Sequence, residues 1–321
     1  MSTSGQPPAS QPPASQPPSK PPTQPPSPGK LNIDHVAHFV PHIDAASAAL
    51  EQAGFTLTPF SEQSHHLEPG GPLTPAGAGN RCVMLREGYL EFLTPTGDTS
   101  IAQQLRSAIQ RYTGLHLIAL GTVAPDADHA RLAKNGFSPL PPVALQREIG
   151  TADGYDTARF TVVRVPPGTM AEGRIQYCQQ HTPGLLWQSR WLEHANRARG
   201  LAAVIICVTD PQEAAQRYAR YTGLLAQVSG TQWRIDTQRG ALLFVTPAAV
   251  EKQLGITAPA LPWIAGYVLT SDKLSATRDA LNTAHCDIRE LESGRLLLHW
   301  PGTVGGVVLF QQAGAALPAL G

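Results

Sequence analysis

The feature that most restricts what this chain can fold into is a five-residue pattern written four times: GYLEF at 88–92, GRIQY at 173–177, GALLF at 240–244 and GVVLF at 306–310. Each copy is a glycine, two residues, a variable position and an aromatic, with proline or glycine beyond it. That is the signature of a short buried strand between turns. Upstream of each copy lies a strand-like stretch and then a helix-like one, so the repeat is a module and not a chance pentamer. LNIDHVAHFV (31–40) precedes a helix stopped by Gly54, and LHLIALGTV (115–123) precedes one stopped by Gly136. LAAVIICV (201–208) leads to a helix with Asp210 as N-cap and Pro211 in its first turn, and WIAGYVLT (263–270) leads to DKLSATRDALNTAH. Each helix is separated from its closing strand by room for two further strands, which makes the unit βαβββ.

The predicted fold class is therefore α+β: four βαβββ modules forming two tandem domains. The first covers 31–190, with modules at 31–96 and 113–181, and the second covers 191–314. The boundary falls within the connector QQHTPGLLWQSRWLEHANRARG (179–200), and 315–321 is a short C-terminal tail. Residues 1–30 are a Pro/Ser/Gln repeat with little apolar surface to bury and few amide donors, which predicts an extended, disordered tail. It lacks the apolar stretch of a secretion signal.

Composition excludes several partners. Lysine plus arginine (24) balance aspartate plus glutamate (24), and no basic block interleaved with aromatics offers a nucleic-acid footprint. The best apolar run, LAAVIICV, is too short to span a bilayer. Cys82, Cys178, Cys207 and Cys286 are widely spaced without a CxxC pair and read as small core residues of a reducing, cytoplasmic compartment.

Paired βαβββ modules, with His35 in the DHV of an opening strand and Glu91 in the YLEFL of a closing one, resemble the vicinal-oxygen-chelate (VOC) superfamily. The wording NRCVML…GYLEFLTP…ARFTVVRVPPG…RIQYCQQHTP resembles its glyoxalase-like branch. The resemblance is specific over 31–200 and rests on module pattern alone over 200–312. It implies two modules curling around a shared cleft, with a divalent metal held by side chains of first and fourth strands.

Glu91 stands in an otherwise apolar strand, where an ionised carboxylate without a partner costs several kcal/mol. It needs a cation, a proton or a strong donor, whereas Leu243 at the same place in the third copy needs nothing. Superimposing the modules adds His35 and, with a one-residue adjustment, His116 from the opening strands, and Gln176 from a closing strand. His35, His116 and Glu91 would form a 2-His-1-carboxylate set suited to Fe2+; Gln176 would extend it to an N/O site also suited to Zn2+, Ni2+ or Mn2+. The bland alternative for each histidine is a core imidazole bonded to backbone, and for Gln176 a polar wall or substrate contact. Ala203 faces the His35 position in the third module, so the second domain is expected to be metal-free.

His38 is three residues from His35 and should point to the other side of the strand. His65 and His66 sit in a Gly/Pro-rich stretch read as a loop, solvated or forming a lid, and GGPLTPAGAGN reads as flexible linker. In the connector, Trp187 and Trp191 suit interdomain glue, and the functional alternative makes it a cleft wall. There His181 is a candidate acid/base or alternate ligand, Arg174 or Arg190 would hold an anionic substrate, and Asn196 is a further candidate substrate contact.

The resulting expectation is an enzyme whose metal chelates adjacent oxygens of a small substrate. It would be a glyoxalase-like lyase or isomerase with Glu91 moving a proton, or an extradiol-type dioxygenase, whose second-shell His-Tyr signature the sequence lacks. The rival is a metal-free protein that sequesters small molecules, as bleomycin-resistance proteins of this scaffold do. A third reading puts ligand in an apolar cleft of the second domain. A homodimer is compatible with all three.

Overall fold

The computed structural model describes residues 23–66, 73–152 and 154–321; the expectations for 1–22 and for the loop 67–72 lie outside these. The first stretch of chain builds β1 (Asn32–Phe39), α1 (Ile43–Gln52), β2 (Ser61–His66), β3 (Leu73–Met84) and β4 (Tyr89–Pro95). After α2 (Ser100–Arg111) come β5 (Gly114–Gly121), α3 (Pro125–Lys134), β6 (Val143–Thr151), β7 (Gly154–Arg164) and β8 (Arg174–Gln180). A short α4 (Pro183–Leu186) precedes β9 (Ala198–Cys207), α5 (Pro211–Thr222), β10 (Ala226–Ser229), β11 (Gln232–Asp236) and β12 (Ala241–Val245). Beyond α6 (Pro247–Leu254) lie β13 (Trp263–Ser271), α7 (Leu274–Thr283), β14 (Ile288–Glu290), β15 (Leu296–His299) and β16 (Val307–Gln312). The order strand, helix, three strands recurs along the chain, and the repeated pentapeptides supply the strands β4, β8, β12 and β16.

Local chemistry explains the element ends. Asp210 accepts from the amides of Gln212 and Glu213 at the start of α5, and Pro211 follows it where no amide is needed. Gly223 and Gly255 close α5 and α6 in the left-handed conformation that a side chain would resist.

In every unit the first strand pairs in parallel with the fourth: β1 with β4, β5 with β8, β9 with β12 and β13 with β16. Units then join through antiparallel opening strands, β1 against β5 and β9 against β13. The two halves touch in the sheet at Leu115 on β5 and Ile264 on β13. Helices α1, α3, α5 and α7 lie on the inner side, where Leu50, Leu132, Tyr221 and Leu281 share one core with Leu90, Tyr177, Phe244 and Phe310. Each pair of units thus turns its other, concave face outward.

Several expectations change. GGPLTPAGAGN is no linker from residue 73 onward: it forms β3, and SEQSHH pairs with it as β2. Its glycines serve close packing, since a Cβ on Gly79 would lie 2.2 Å from the Phe60 ring. Residues 315–321 pack inward, with Leu317 and Leu320 entering the concave apolar cluster of the second half. Residues 23–30 lie against the body, where the Thr23 amide donates to the Arg86 carbonyl and the Ser27 amide to Gln238. Among the described residues no helix is long and apolar enough to cross a membrane.

Candidate functional site

The concave face of the first half opens into a cavity of about 380 Å³. Strand alternation aims His35 from β1, Glu91 from β4, and Arg174, Gln176 and Cys178 from β8 into it. His35 and Glu91 are both buried, and His35 Nε2 stands 3.9 Å from Glu91 Oε2. The other ring nitrogen, Nδ1, is 2.7 Å from Asp34 Oδ2; donation there leaves the Nε2 lone pair facing the cavity. Asp34 also accepts from Gln180 Nε2 at 2.9 Å. Stacking of the imidazole on Tyr89, centroids 4.3 Å apart, fixes its plane. Glu91 Oε1 accepts from Asn80, whose own carbonyl oxygen lies 3.4 Å from Arg147 Nη1. The carboxylate in the apolar strand is therefore satisfied by an amide donor on one oxygen and free on the other.

Strand register shows which residues are equivalent. Across β1 and β5, His35 faces Ala119 and Ala37 faces Leu117; Glu91 pairs with Ala37, and Gln176 with Ala119. The pseudo-twofold relation between the units thus matches Glu91 with Gln176 and His35 with Leu117. The pairing skips Asp34 on β1 and His116 on β5, one bulge in each strand. His116 is the counterpart of Asp34, not of His35.

His116 accordingly does not line the cavity. Its Nε2–H donates to the Tyr112 carbonyl at 2.8 Å, its ring stacks between Tyr112 and Phe39, and burial pushes its pKa down to about 4. The 2-His-1-carboxylate set does not assemble, because a one-residue bulge turns the second imidazole away from the cup. His38 does face away from His35: its Nδ1–H donates to the Val304 carbonyl, and burial lowers its pKa to about 3.

Of the connector candidates, Arg174 alone lines the cavity among the described residues. His181 is exposed, with Nε2 2.8 Å from Thr161 Oγ1, and Arg190 is exposed, donating to the Gly150 carbonyl and lying over Trp191. Asn196 is wholly buried and ties the Ala53 carbonyl to the Ala198 amide. Trp187 is buried, but within the first half and not between the halves: its indole N–H donates to the Leu85 carbonyl and its ring stands edge-on to Tyr89. The side chains of His65 and His66 lie outside what the structure describes.

Sequence reasoning missed Arg147 on β6 and Arg164 on β7, which line the cavity with Arg174. Their signal was alternation: Val162 and Arg164, like Leu145 and Arg147, share a strand face with apolar lining residues. Asn80 carried no such signal.

The second half shows what this face becomes without polar groups. Register places Ala203 and Gly266 at the His35-type positions and Leu243 and Leu309 at the Glu91-type positions. Val250 and Leu254 of α6 fill the concavity together with Leu317 and Leu320.

The profile of the glyoxalase-like domain family matches residues 33–222, more than half of the chain, so the chain belongs to that family and to the VOC superfamily. Among curated proteins, none matches the sequence. Similar folds occur in a hypothetical protein from Staphylococcus aureus, with TM-score 0.60 and 10% identity over 88% of this chain and 99% of that one. A triple mutant of 4-hydroxymandelate synthase from Streptomyces coelicolor gives TM-score 0.53 and 13% identity over 92% and 96% of the two chains. The fold is also shared with a xylose isomerase-like TIM barrel/4-hydroxyphenylpyruvate dioxygenase fusion protein, at TM-score 0.50 and 13% identity, over 92% of this chain and 51% of that one.

Proposed function

We propose that the cavity of the first half is the active site of a metal-dependent, glyoxalase-like lyase or isomerase acting on a small substrate with adjacent oxygens. One observation carries the reading: His35 and Glu91 meet at 3.9 Å in an open cavity, whereas the matching cup of the other half holds no polar group at these positions and is filled by aliphatic side chains.

The residues present fit a divalent cation. His35 offers Nε2 with its second nitrogen anchored on a carboxylate, Glu91 offers Oε2, and the buried Gln176 Oε1 has no hydrogen-bond partner. This donor set differs from the expected one in having an amide instead of His116. Leu117 closes the fourth position, so further coordination would come from substrate or water. A bound cation would supply Lewis-acid polarisation of a substrate oxygen. Glu91 is the one carboxylate among the described lining residues, so it is the group that takes or returns a proton beside a carbonyl. Asn80 holds the other oxygen of Glu91, and Leu93, Leu117 and Val162 keep that end of the cavity poor in water. The second His that an Fe2+ dioxygenase of the expected set would use is turned away, which favours proton transfer over oxygen chemistry. The four free cysteines suit a reducing compartment, and we place the protein in the cytoplasm.

Element analysis of full-length protein purified without chelators tests the proposal. About one divalent ion per chain is expected, lost in His35→Ala and Glu91→Gln. A metal-free wild type whose small-molecule binding survives both substitutions would overturn it in favour of sequestration.

A further inference from the structure

Arg147, Arg164 and Arg174 stand on three successive strands of the second unit, β6, β7 and β8, and all line the cavity. Two other partly buried arginines have a carboxylate: Arg217 has Glu172, and Arg131 has Asp128. Among the described residues these three form no ion pair. Arg147 reaches Asn80 at 3.4 Å and Arg174 reaches Gln104 at 3.3 Å, both long contacts to neutral amides. The Nε atoms of Arg147 and Arg164 are buried without a partner. Partly burying guanidinium groups with no counter-ion is costly unless something supplies the missing charge.

The charge of the lining is lopsided. Three arginines face one carboxylate, Glu91. An anion would supply the missing charge, and guanidinium forks match the oxygens of an oxyacid. Ile101, Leu117, Phe160 and Val162 offer an apolar wall in the same space.

We infer that this cavity holds an anionic ligand: a small apolar molecule bearing an ionised oxyacid group, carboxylate or phosphate, gripped by Arg147, Arg164 and Arg174. The acid group sits against the arginines, and the rest of the molecule packs on the apolar wall. The inference rests on the proposed site and deepens it, since it names the substrate class. It also gives the polar contact predicted for Arg174 two partners that the sequence did not single out.

The test uses full-length protein treated with chelator, so that no metal contributes. Binding of 3-phenylpropionate is compared by calorimetry with its neutral match 3-phenylpropionamide, and phenyl phosphate with phenol. At least one acid is expected to bind about tenfold tighter than its neutral match. That advantage is expected to collapse in Arg164→Gln and in Arg174→Gln, with unchanged circular dichroism and melting temperature confirming their fold. It is expected to persist in His35→Ala, which separates this result from failure of the metal site. The pair showing the larger advantage distinguishes carboxylate from phosphate. Equal binding of acid and neutral match in both pairs, no binding by either acid up to about 10 mM, or an advantage untouched by both arginine substitutions would overturn the inference.

Discussion

Glu91 and the three histidines nearest the opening strands show how a single residue's neighbours set its chemistry. Asn80 and Asp34 leave one oxygen and one imidazole nitrogen facing the same space. His38 and His116, in contrast, are held neutral: burial lowers them to about 3 and about 4, beyond what their backbone acceptors Val304 and Tyr112 can offset. The unfolded chain, with ordinary imidazoles, therefore binds more protons as pH falls below about 6.5, and stability must drop with it. Between pH 7 and pH 5 each of these histidines is expected to remove about 2 kcal/mol of unfolding free energy, the loss continuing toward the folded-state values. Urea unfolding at the two pH values checks this; His116→Phe, which keeps the stack between Phe39 and Tyr112, should flatten the acid loss by about one histidine's share. An unchanged slope in that variant would mean that His116 is not held neutral.

At the scale of elements, the bulges in the opening strands matter most. The pairing skips Asp34 and His116 in the first half and Ala202 and Ala265 in the second, at equivalent places. Each bulge resets which residues face the concave side. It places His35 inward in β1 and Leu117 inward in β5. In β13 the inward position is Gly266, where β16 comes so close that a Cβ would lie 2.1 Å from the Val307 carbonyl oxygen. Gly266→Ala is therefore expected to cost about 2–4 kcal/mol despite the small volume added, because backbone must move. Thermal unfolding of that variant beside Gly302→Ala, where a Cβ would meet nothing, isolates the effect. The closing strands carry no such shift, which is why aligning GYLEF with GRIQY brought Glu91 and Gln176 to matching positions, while aligning histidines did not. β3 escaped recognition for another reason: its glycines and proline look like linker, and only the Phe60 and Thr99 side chains packed on Gly79 and Gly77 account for them.

The molecule as a whole is one continuous sheet whose two concave halves are set around a shared core. Tyr177 of β8 stacks on Tyr221 of α5, and a charged cluster also ties the halves together. Glu172, 1% exposed at the side chain and just ahead of β8, pairs with Arg217 of α5, which also holds Glu213 one turn earlier. Arg217→Met would leave the Glu172 carboxylate buried alone, and an expected loss of about 3–5 kcal/mol follows. Chemical denaturation tests it; a double variant with Glu172→Leu should recover much of the loss, because no lone charge remains. Recovery that fails would show that Glu172 serves some contact other than this pair.

Repetition made the architecture readable from the chain alone. Four copies of one strand pattern, each behind a strand and a helix, determine the βαβββ units through local preferences and alternation. Those same rules sufficed to put Glu91 and Gln176 on the concave face. Facing across strands is another matter, since it depends on where a partner strand accommodates an extra residue. Only tertiary structure decided that Leu117 replaces a second histidine, that three arginines from neighbouring strands converge, and that α6 and the C-terminal residues seal one cup while the other stays open. Hydrogen-bond register and packing between distant segments set those outcomes, and no window of sequence contains them.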